Sequence, residues 1–198
     1  TWTLQHFNPD PGWPFYGIYF INESTGWVMG ERGTFLRSDD GGESWNEVET
    51  PVAELGMHLN GMMTLGKTES GQDCLFMYGE KGVMARSGDG GITWHLITTP
   101  YVGSWFGALP HKEHGVILFG LRGNVYATDD ISTLPTEDPY EWDEYGRESV
   151  TDAAQLAEMG WRQLDNPVIE SLFGGSELSD GSRILTGVNG SIIRVNAA

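Results

Sequence analysis

Two glycines three residues apart introduce a short apolar strand at four places: Gly30-Glu-Arg-Gly33, Gly79-Glu-Lys-Gly82, Gly120-Leu-Arg-Gly123 and Gly187-Val-Asn-Gly190. Upstream of each pair another glycine follows an aromatic or polar residue, at Tyr16-Gly17, Asn60-Gly61, Phe106-Gly107 and Phe173-Gly174. That glycine lies 13 residues before the pair in three units and 18 before it in the Asn60-Gly61 unit. Two units then run into Ser-x-Asp-x-Gly-x-x-Trp, through Ser38, Asp40, Gly42 and Trp45 and through Ser87, Asp89, Gly91 and Trp94. Such a cadence means that one small supersecondary unit is used repeatedly.

Within the first unit, Phe15–Ile21 is apolar on both faces, as a strand buried between neighbours requires. Asn22 to Thr25 supply turn chemistry. Trp27–Met29 is a second strand, Gly30–Gly33 a hairpin in which glycine accepts positive φ, and Thr34–Arg37 a third strand. Ser38 to Gly42 turn the chain and Trp45–Val48 forms the outer strand. Proline-bearing links at Asn8-Pro9, Thr50-Pro51, Thr99-Pro100 and Asn166-Pro167 precede successive inner strands. These features give an all-β chain, a β-propeller of four-stranded antiparallel blades. The units are 15–59, 60–105, 106–172, and 173–198 together with 1–7.

The last unit takes in the head because Thr1-Trp2-Thr-Leu4 matches Ser44-Trp45-Asn-Glu47 and Thr93-Trp94-His-Leu96, while the tail stops where a turn and outer strand should follow. Either head and tail pair to close a four-bladed ring, or both mark cuts in a larger ring; an open arc needs neighbours, because unpaired edges invite association. The third unit is interrupted. Thr128-Asp129-Asp130 begins its turn, but the outer strand resumes only at Gly160-Trp161, after an acidic and aromatic insertion (131–160) that reads as a mobile loop. The end of the insertion, Ser149–Met159, predicts a short helix capped by Ser149 or Thr151.

A net charge of −17, from 28 acidic residues against 11 basic ones, argues against nucleic acid and anionic membrane surfaces as partners. No apolar run approaches the roughly 18 residues of a membrane span. Cys74 is the one cysteine, which excludes an intrachain disulfide and reads as a small buried hydrophobe. The chain begins at Thr1 without a charged-then-apolar leader, so either a signal segment has been removed or the sequence belongs to something longer.

In the Ser-x-Asp turns the carboxylate is expected to accept backbone N–H groups two or three residues on, with Trp45 and Trp94 packed between sheets. This box resembles the Asp-box, or bacterial neuraminidase repeat, which marks a fold and says little of function. A closer resemblance lies in Thr99-Pro-Tyr-Val-Gly-Ser-Trp-Phe-Gly107, Val116-Ile-Leu-Phe-Gly-Leu-Arg-Gly-Asn124 and Gly26-Trp-Val-Met-Gly-Glu-Arg-Gly33. With these residues the chain is similar to the photosystem II stability/assembly factor family, in its non-photosynthetic bacterial branch. The resemblance implies a segment of a larger propeller, commonly of seven blades, and an exported, periplasmic setting. It further implies non-catalytic binding of another protein, membrane-associated in the photosynthetic members, without a cofactor or metal.

Hairpins between second and third strands share one face with the links, which places Arg32, Lys81, Arg122 and Asn189 beside Tyr101, Trp105, Trp13 and Phe15. Basic groups ringed by aromatics suit a protein partner, and Arg32, Lys81, Arg122, Tyr101 and Trp105 are the candidate contacts. His111-Lys-Glu-His114 has metal-like spacing but no third ligand nearby, and reads as a solvated turn. The enzymatic alternative is a sialidase-like glycoside hydrolase. It would need an arginine cluster, a Tyr–Glu pair and an acidic Asp. Yet Arg37, Arg86 and Arg194 hold one equivalent repeat position, as strand packing demands, and the Phe/Tyr-Arg-Ile-Pro signature is missing. A third possibility is a structural subunit whose ring is completed by another chain.

Overall fold

A computed structural model describes residues 2–7, 12–143 and 146–196. Thr1, the Asn8-Pro9 link, the insertion's Glu144 and Tyr145 and the final Ala197 and Ala198 lie outside the described residues.

The first sheet is β1 (Phe15–Phe20), β2 (Gly26–Gly30), β3 (Phe35–Ser38) and β4 (Asn46–Glu47) in that spatial order. The proline-bearing Thr50-Pro51 link forms a helix α1 (Pro51–Leu55) whose N-cap Thr50 hydroxyl accepts the Ala53 amide. The second sheet contains β5 (Leu59–Lys67), β6 (Asp73–Gly79), β7 (Met84–Ser87) and β8 (His95–Ile97). The third begins with β9 (Trp105–His111), β10 (Gly115–Gly120) and β11 (Val125–Thr128). The insertion then forms β12 (Thr136–Glu137) and α2 (Ala153–Glu158) before β13 (Arg162–Gln163) completes that sheet. The fourth sheet has β14 (Leu172–Glu177), β15 (Arg183–Gly187) and β16 (Ile192–Val195). All strand pairs are antiparallel. The inner strands β1, β5, β9 and β14 pack in succession, so the sheets fan as a partial β-propeller.

Each glycine of the repeated pair has a separate job. The first lets backbone approach backbone: a Cβ on Gly30, Gly79, Gly120 or Gly187 would lie 2.1, 1.9, 2.1 or 2.2 Å from the carbonyl oxygen of Pro14, His58, Ser104 or Ser171. Those carbonyls accept the next amides, from Glu31, Glu80, Leu121 and Val188, at 2.9–3.0 Å, which ties each hairpin to its own inner strand. The second glycine shares a left-handed turn with the residue before it, as at Arg32 (φ 55°) and Gly33 (φ 72°). Two successive positive-φ residues closed by a bond from Thr34 N to Glu31 O (3.0 Å) make a type I′ hairpin. The aromatic-or-polar residue before the upstream glycine is a β-bulge: pairing skips Tyr16, Asn60, Phe106 and Phe173.

Three cores lie between consecutive sheets. Trp27, Phe35, Met62 and Trp94 are among those that fill the first; Phe76, Met84, Trp105 and Trp161 belong to the second; Phe119, Val125 and Leu185 belong to the third. The two ends of the arc differ. Ile192 is 72% exposed, whereas its repeat equivalents Phe35, Met84 and Val125 are 1%, 0% and 1% exposed. Ile18, equivalent to the 6%-exposed Met62, is 65% exposed. Residues 2–7 are not a strand, the fourth sheet has three strands, and no comparable packing joins β14 to β1 among the described residues. Among the described residues, head and tail do not pair to close a four-bladed ring.

The insertion is a packed strap, which corrects its reading as a mobile loop. β12 leaves the third sheet and adds a fifth strand to the second, pairing Thr136 with Ile97 and Glu137 with Leu96. Arg86 donates to the carbonyls of Ile131 and Leu134. Arg147 grips Glu137 through two nitrogens and lies 3.8 Å above the ring of Trp142, which packs on the first core. The helix is present, but its cap is Asp152, which accepts the amides of Ala154 and Gln155. Ser149 instead accepts the Val102 amide through its hydroxyl.

Candidate functional site

The left-handed residue of each type I′ turn projects from the tip of its hairpin. Arg32, Lys81, Arg122 and Asn189 hold this position in the four sheets, with φ between 52° and 57°, and all are exposed. The neighbouring sheet fixes the tips. Arg32 N donates to His58 Nδ1 (3.1 Å) and Arg122 N to Ser171 Oγ (3.2 Å). The links to the next sheet press on the adjoining glycines, so tips and links share one face, as the sequence implies. The Arg32 guanidinium lies 5.5 Å above the half-exposed ring of Trp13.

Among the described residues, ion pairs with carboxylates engage Arg37, Arg147, Arg162, Arg183, Arg194, Lys67 and Lys112, and neither Arg32 nor Arg122. In a chain of net charge −17, two guanidiniums without a carboxylate partner among the described residues stand on one face, beside the acidic Glu31 and Glu80 of the same tips.

Tyr101 and Trp105 are not part of that surface. They are 8% and 0% exposed, their rings 5.1 Å apart within the second core. The Tyr101 hydroxyl donates to the Leu121 carbonyl (3.0 Å), and burial pushes its pKa above the usual value. Trp105 occupies the first position of an inner strand, where Leu59 and Leu172 are equally buried, so core packing claims it. Trp13, Phe15 and Tyr16 are exposed aromatics that the tip face offers instead.

At the opposite face the Ser-x-Asp boxes are turn staples. Ser38 Oγ donates to Asp40 Oδ1 (2.8 Å) and accepts Gly42 N (2.8 Å), while Asp40 accepts the amide and hydroxyl of Ser44, four residues on. Ser87, Asp89, Gly91 and Thr93 repeat this pattern, with Ile92 N an added donor. The donors thus lie three and four residues on, further than the turn chemistry suggested. Hydrogen bonds from Ser44, then from Ser38, hold the Asp40 carboxyl down at about 2. At Asp89 burial opposes ionisation but the bonds from Thr93, Ser87 and Ile92 prevail, again giving about 2. Trp94 meets Phe35 of the preceding sheet edge-on at 5.5 Å, whereas Trp45 meets Phe20 of its own sheet at 5.9 Å.

Arginines at the shared strand position are consumed locally. Arg37 pairs with Asp39 (2.8 Å) and lies 5.4 Å above Trp27, Arg86 holds the strap, and Arg194 pairs with Asp180. His111 is buried, which corrects the solvated-turn reading. Its Nε2 lies 3.1 Å from Asp129 and 2.8 Å from Arg162, and Nδ1 lies 3.5 Å from Arg183 of the fourth sheet. His114 Nδ1 contacts the Leu65 carbonyl at 2.8 Å, so the two histidines serve different partners. No cluster of three metal-ligating side chains occurs among the described residues, and none of their helices is long and apolar enough to cross a membrane.

Comparison with known proteins agrees with this architecture. The family model described as "Photosynthesis system II assembly factor YCF48" matches residues 1–132, ending as the insertion begins. No curated protein matches. A solved structure titled "YCF48 bound to D1 peptide" superposes with a TM-score of 0.58 at 17% identity, covering 100% of this chain and 54% of that one. YCF48 from Cyanidioschyzon merolae superposes with a TM-score of 0.58 at 18% identity, covering 94% of this chain and 54% of that one. The chain therefore spans about half the length of these structures and shares their fold. With two thirds of its residues matched, the chain belongs to the photosynthesis system II assembly factor YCF48 family.

Proposed function

We propose that this chain is a non-catalytic, protein-binding module of assembly-factor type that docks a membrane-associated or exported partner through its hairpin-tip face, outside the cytoplasm. The carrying observation is the display of Arg32, Lys81 and Arg122 at one equivalent exposed turn position, with neither arginine ion-paired among the described residues. Guanidiniums carried on rigid turns suit carboxylates on a partner, because the turn backbone is already ordered and loses no freedom on docking. Trp13 under Arg32 adds an aromatic anchor of the kind that dominates protein interfaces. The structural relative solved with a D1 peptide supports a protein as ligand. The arginines that a sialidase-like site would have to gather are instead engaged separately, Arg37 by Asp39, Arg86 by carbonyls of the strap and Arg194 by Asp180.

The test is capture of partners from native membranes by the wild-type chain and by the Arg32→Ala/Arg122→Ala double variant. Loss of a specific band in the variant, with unchanged thermal unfolding, is the expected result. Equal recovery of every band would remove the tip face from the binding reading.

A further inference from the structure

The outer edges of the second and third sheets are built alike and finished differently. Trp94-His95-Leu96-Ile97 and Trp161-Arg162-Gln163-Leu164 are repeat equivalents: Leu96 pairs with Ala85 as Gln163 pairs with Tyr126. In the second sheet the edge is covered, because β12 lies along it with Glu137 opposite Leu96 and Thr98 N donating to Pro135 O (3.0 Å). In the third sheet no strand lies beyond β13 among the described residues. Leu164 N bonds Val125 O (2.9 Å), so by antiparallel alternation the N–H and C=O of Gln163 face away from β11.

That open edge borders a cleft of about 490 Å³, within the size range of built ligand pockets. Leu156 and Thr151 come from the insertion, Leu164 from the segment after β13, and Val168 and Ile169 from the link to the fourth sheet, with Arg122 of the hairpin tip also on the lining. Gln163 and Asn166 are already engaged, with Asn124 Oδ1 and Gly123 O. Arg162 is held by Asp129. The Arg122 guanidinium is the cation of the lining with no carboxylate partner among the described residues, and Ile169 is strongly exposed. Asp165 on the same lining has no ion pair among the described residues either, so a run of several carboxylates would be turned away. The first sheet's equivalent edge, Asn46-Glu47 followed by Glu49, is acidic and exposed, which deters strand pairing there.

We propose that the β13 edge is a strand-addition site for an extended partner segment that carries one acidic side chain among apolar ones. The segment pairs its backbone with Gln163 as β12 pairs with Leu96, sets its carboxylate against Arg122, and lays an apolar side chain on Leu156, Leu164 and Val168. The site is walled by the insertion and so lies partly beyond the stretch that the family model matches. The proposal deepens the protein-binding reading and rests on it.

The probe is a fluorescein-labelled hexapeptide of alternating valine and threonine with one central glutamate, titrated into the chain by anisotropy. Amide exchange at Gln163 is followed alongside. Saturable binding with slowed exchange at Gln163 is expected, weakened about tenfold by Arg122→Ala, as loss of one charge-assisted hydrogen bond implies. Glutamine in place of the probe's glutamate should weaken wild-type binding equally and the variant no further. A probe N-methylated on alternate amides should not bind. Equal binding of the methylated probe, or unaltered exchange at Gln163 under saturation, overturns the proposal. Partner capture by the tip face with an unprotected Gln163 sinks the cleft and spares the broader reading, whereas probe pairing with no partner captured from membranes does the reverse.

Discussion

The same sheet face is a core inside the arc and a surface at its ends. Met84 and Ile192 occupy one repeat position, on the side of the sheet that turns toward its successor; Met84 meets the third sheet and Ile192 meets none. The second hairpin glycine tells the same story. A Cβ on Gly33, Gly82 or Gly123 would strike the following link at 2.0–2.5 Å, whereas one on Gly190 meets nothing within 4 Å. On the other flank Met62 is clasped by the first sheet while Ile18 faces outward. Equivalent residues thus carry equivalent chemistry, and the neighbour decides what that chemistry contributes. The ends expose the face by which one blade recognises another.

The largest expected effect breaks this comparison directly. Met84→Ala should cost about 2–5 kcal/mol in urea unfolding, from lost transfer energy plus a cavity. Ile192→Ala should stay within about 0.5 kcal/mol, as exposed substitutions do. If Ile192→Ala costs as much as Met84→Ala, the end face is covered in solution, and the variant's sedimentation would show what covers it.

The strap gives the next effect. Arg86→Met would leave the carbonyls of Ile131 and Leu134 without their donor, a loss of about 1–3 kcal/mol. It should free β12 from β8, read as faster amide exchange at Leu96 and Thr98, while Arg37→Met, the equivalent position with an exposed partner, leaves exchange in the first sheet nearly unchanged. Similar exchange in both variants would mean that Arg86 does not hold the strap.

How far these differences could be read from the residues follows from their periodicity. The glycine pairs and Ser-x-Asp boxes announce four sheets because each turn needs a residue type that few alternatives satisfy, and the structure places all four. The crossing of the insertion onto the second sheet has no such signature: Thr136 and Glu137 are two residues whose pairing depends on where β8 lies, a long-range contact. Tyr101 and Trp105 were misplaced for a different reason. Topology puts their backbone on the tip face, but Trp105 follows the alternation of β9 inward, as the apolar Leu59 and Leu172 at its equivalent positions indicate, and Tyr101 in the preceding link turns inward to pack on Trp105 and bond the Leu121 carbonyl. The cap of α2 went to Asp152 instead of its neighbours because its carboxylate reaches two amides at once. The open Gln163 edge has no signature of its own in the residues, because it is defined by β12 lying on the second sheet and not on the third.

The smallest effect sharpens the comparison at the boxes. Asp40 belongs to the end sheet and Asp89 to an interior one, yet both carboxylates accept a matching set of bonds. Asp40→Ala and Asp89→Ala should each lower the midpoint of thermal unfolding slightly, as lost caps do. Each folded carboxyl titrates near 2, below the ordinary value near 3.8. The folded form therefore prefers the ionised group, so its contribution is complete above about pH 4 and disappears as pH falls through 2. Wild-type stability should decline across that interval, and the two variants should each flatten the decline by a similar amount. Side-chain carbon chemical shifts of Asp40 and Asp89 would locate the midpoints. A midpoint near 4 at Asp40 alone would show that the staple, like the packing around it, needs a neighbouring sheet to hold its shape.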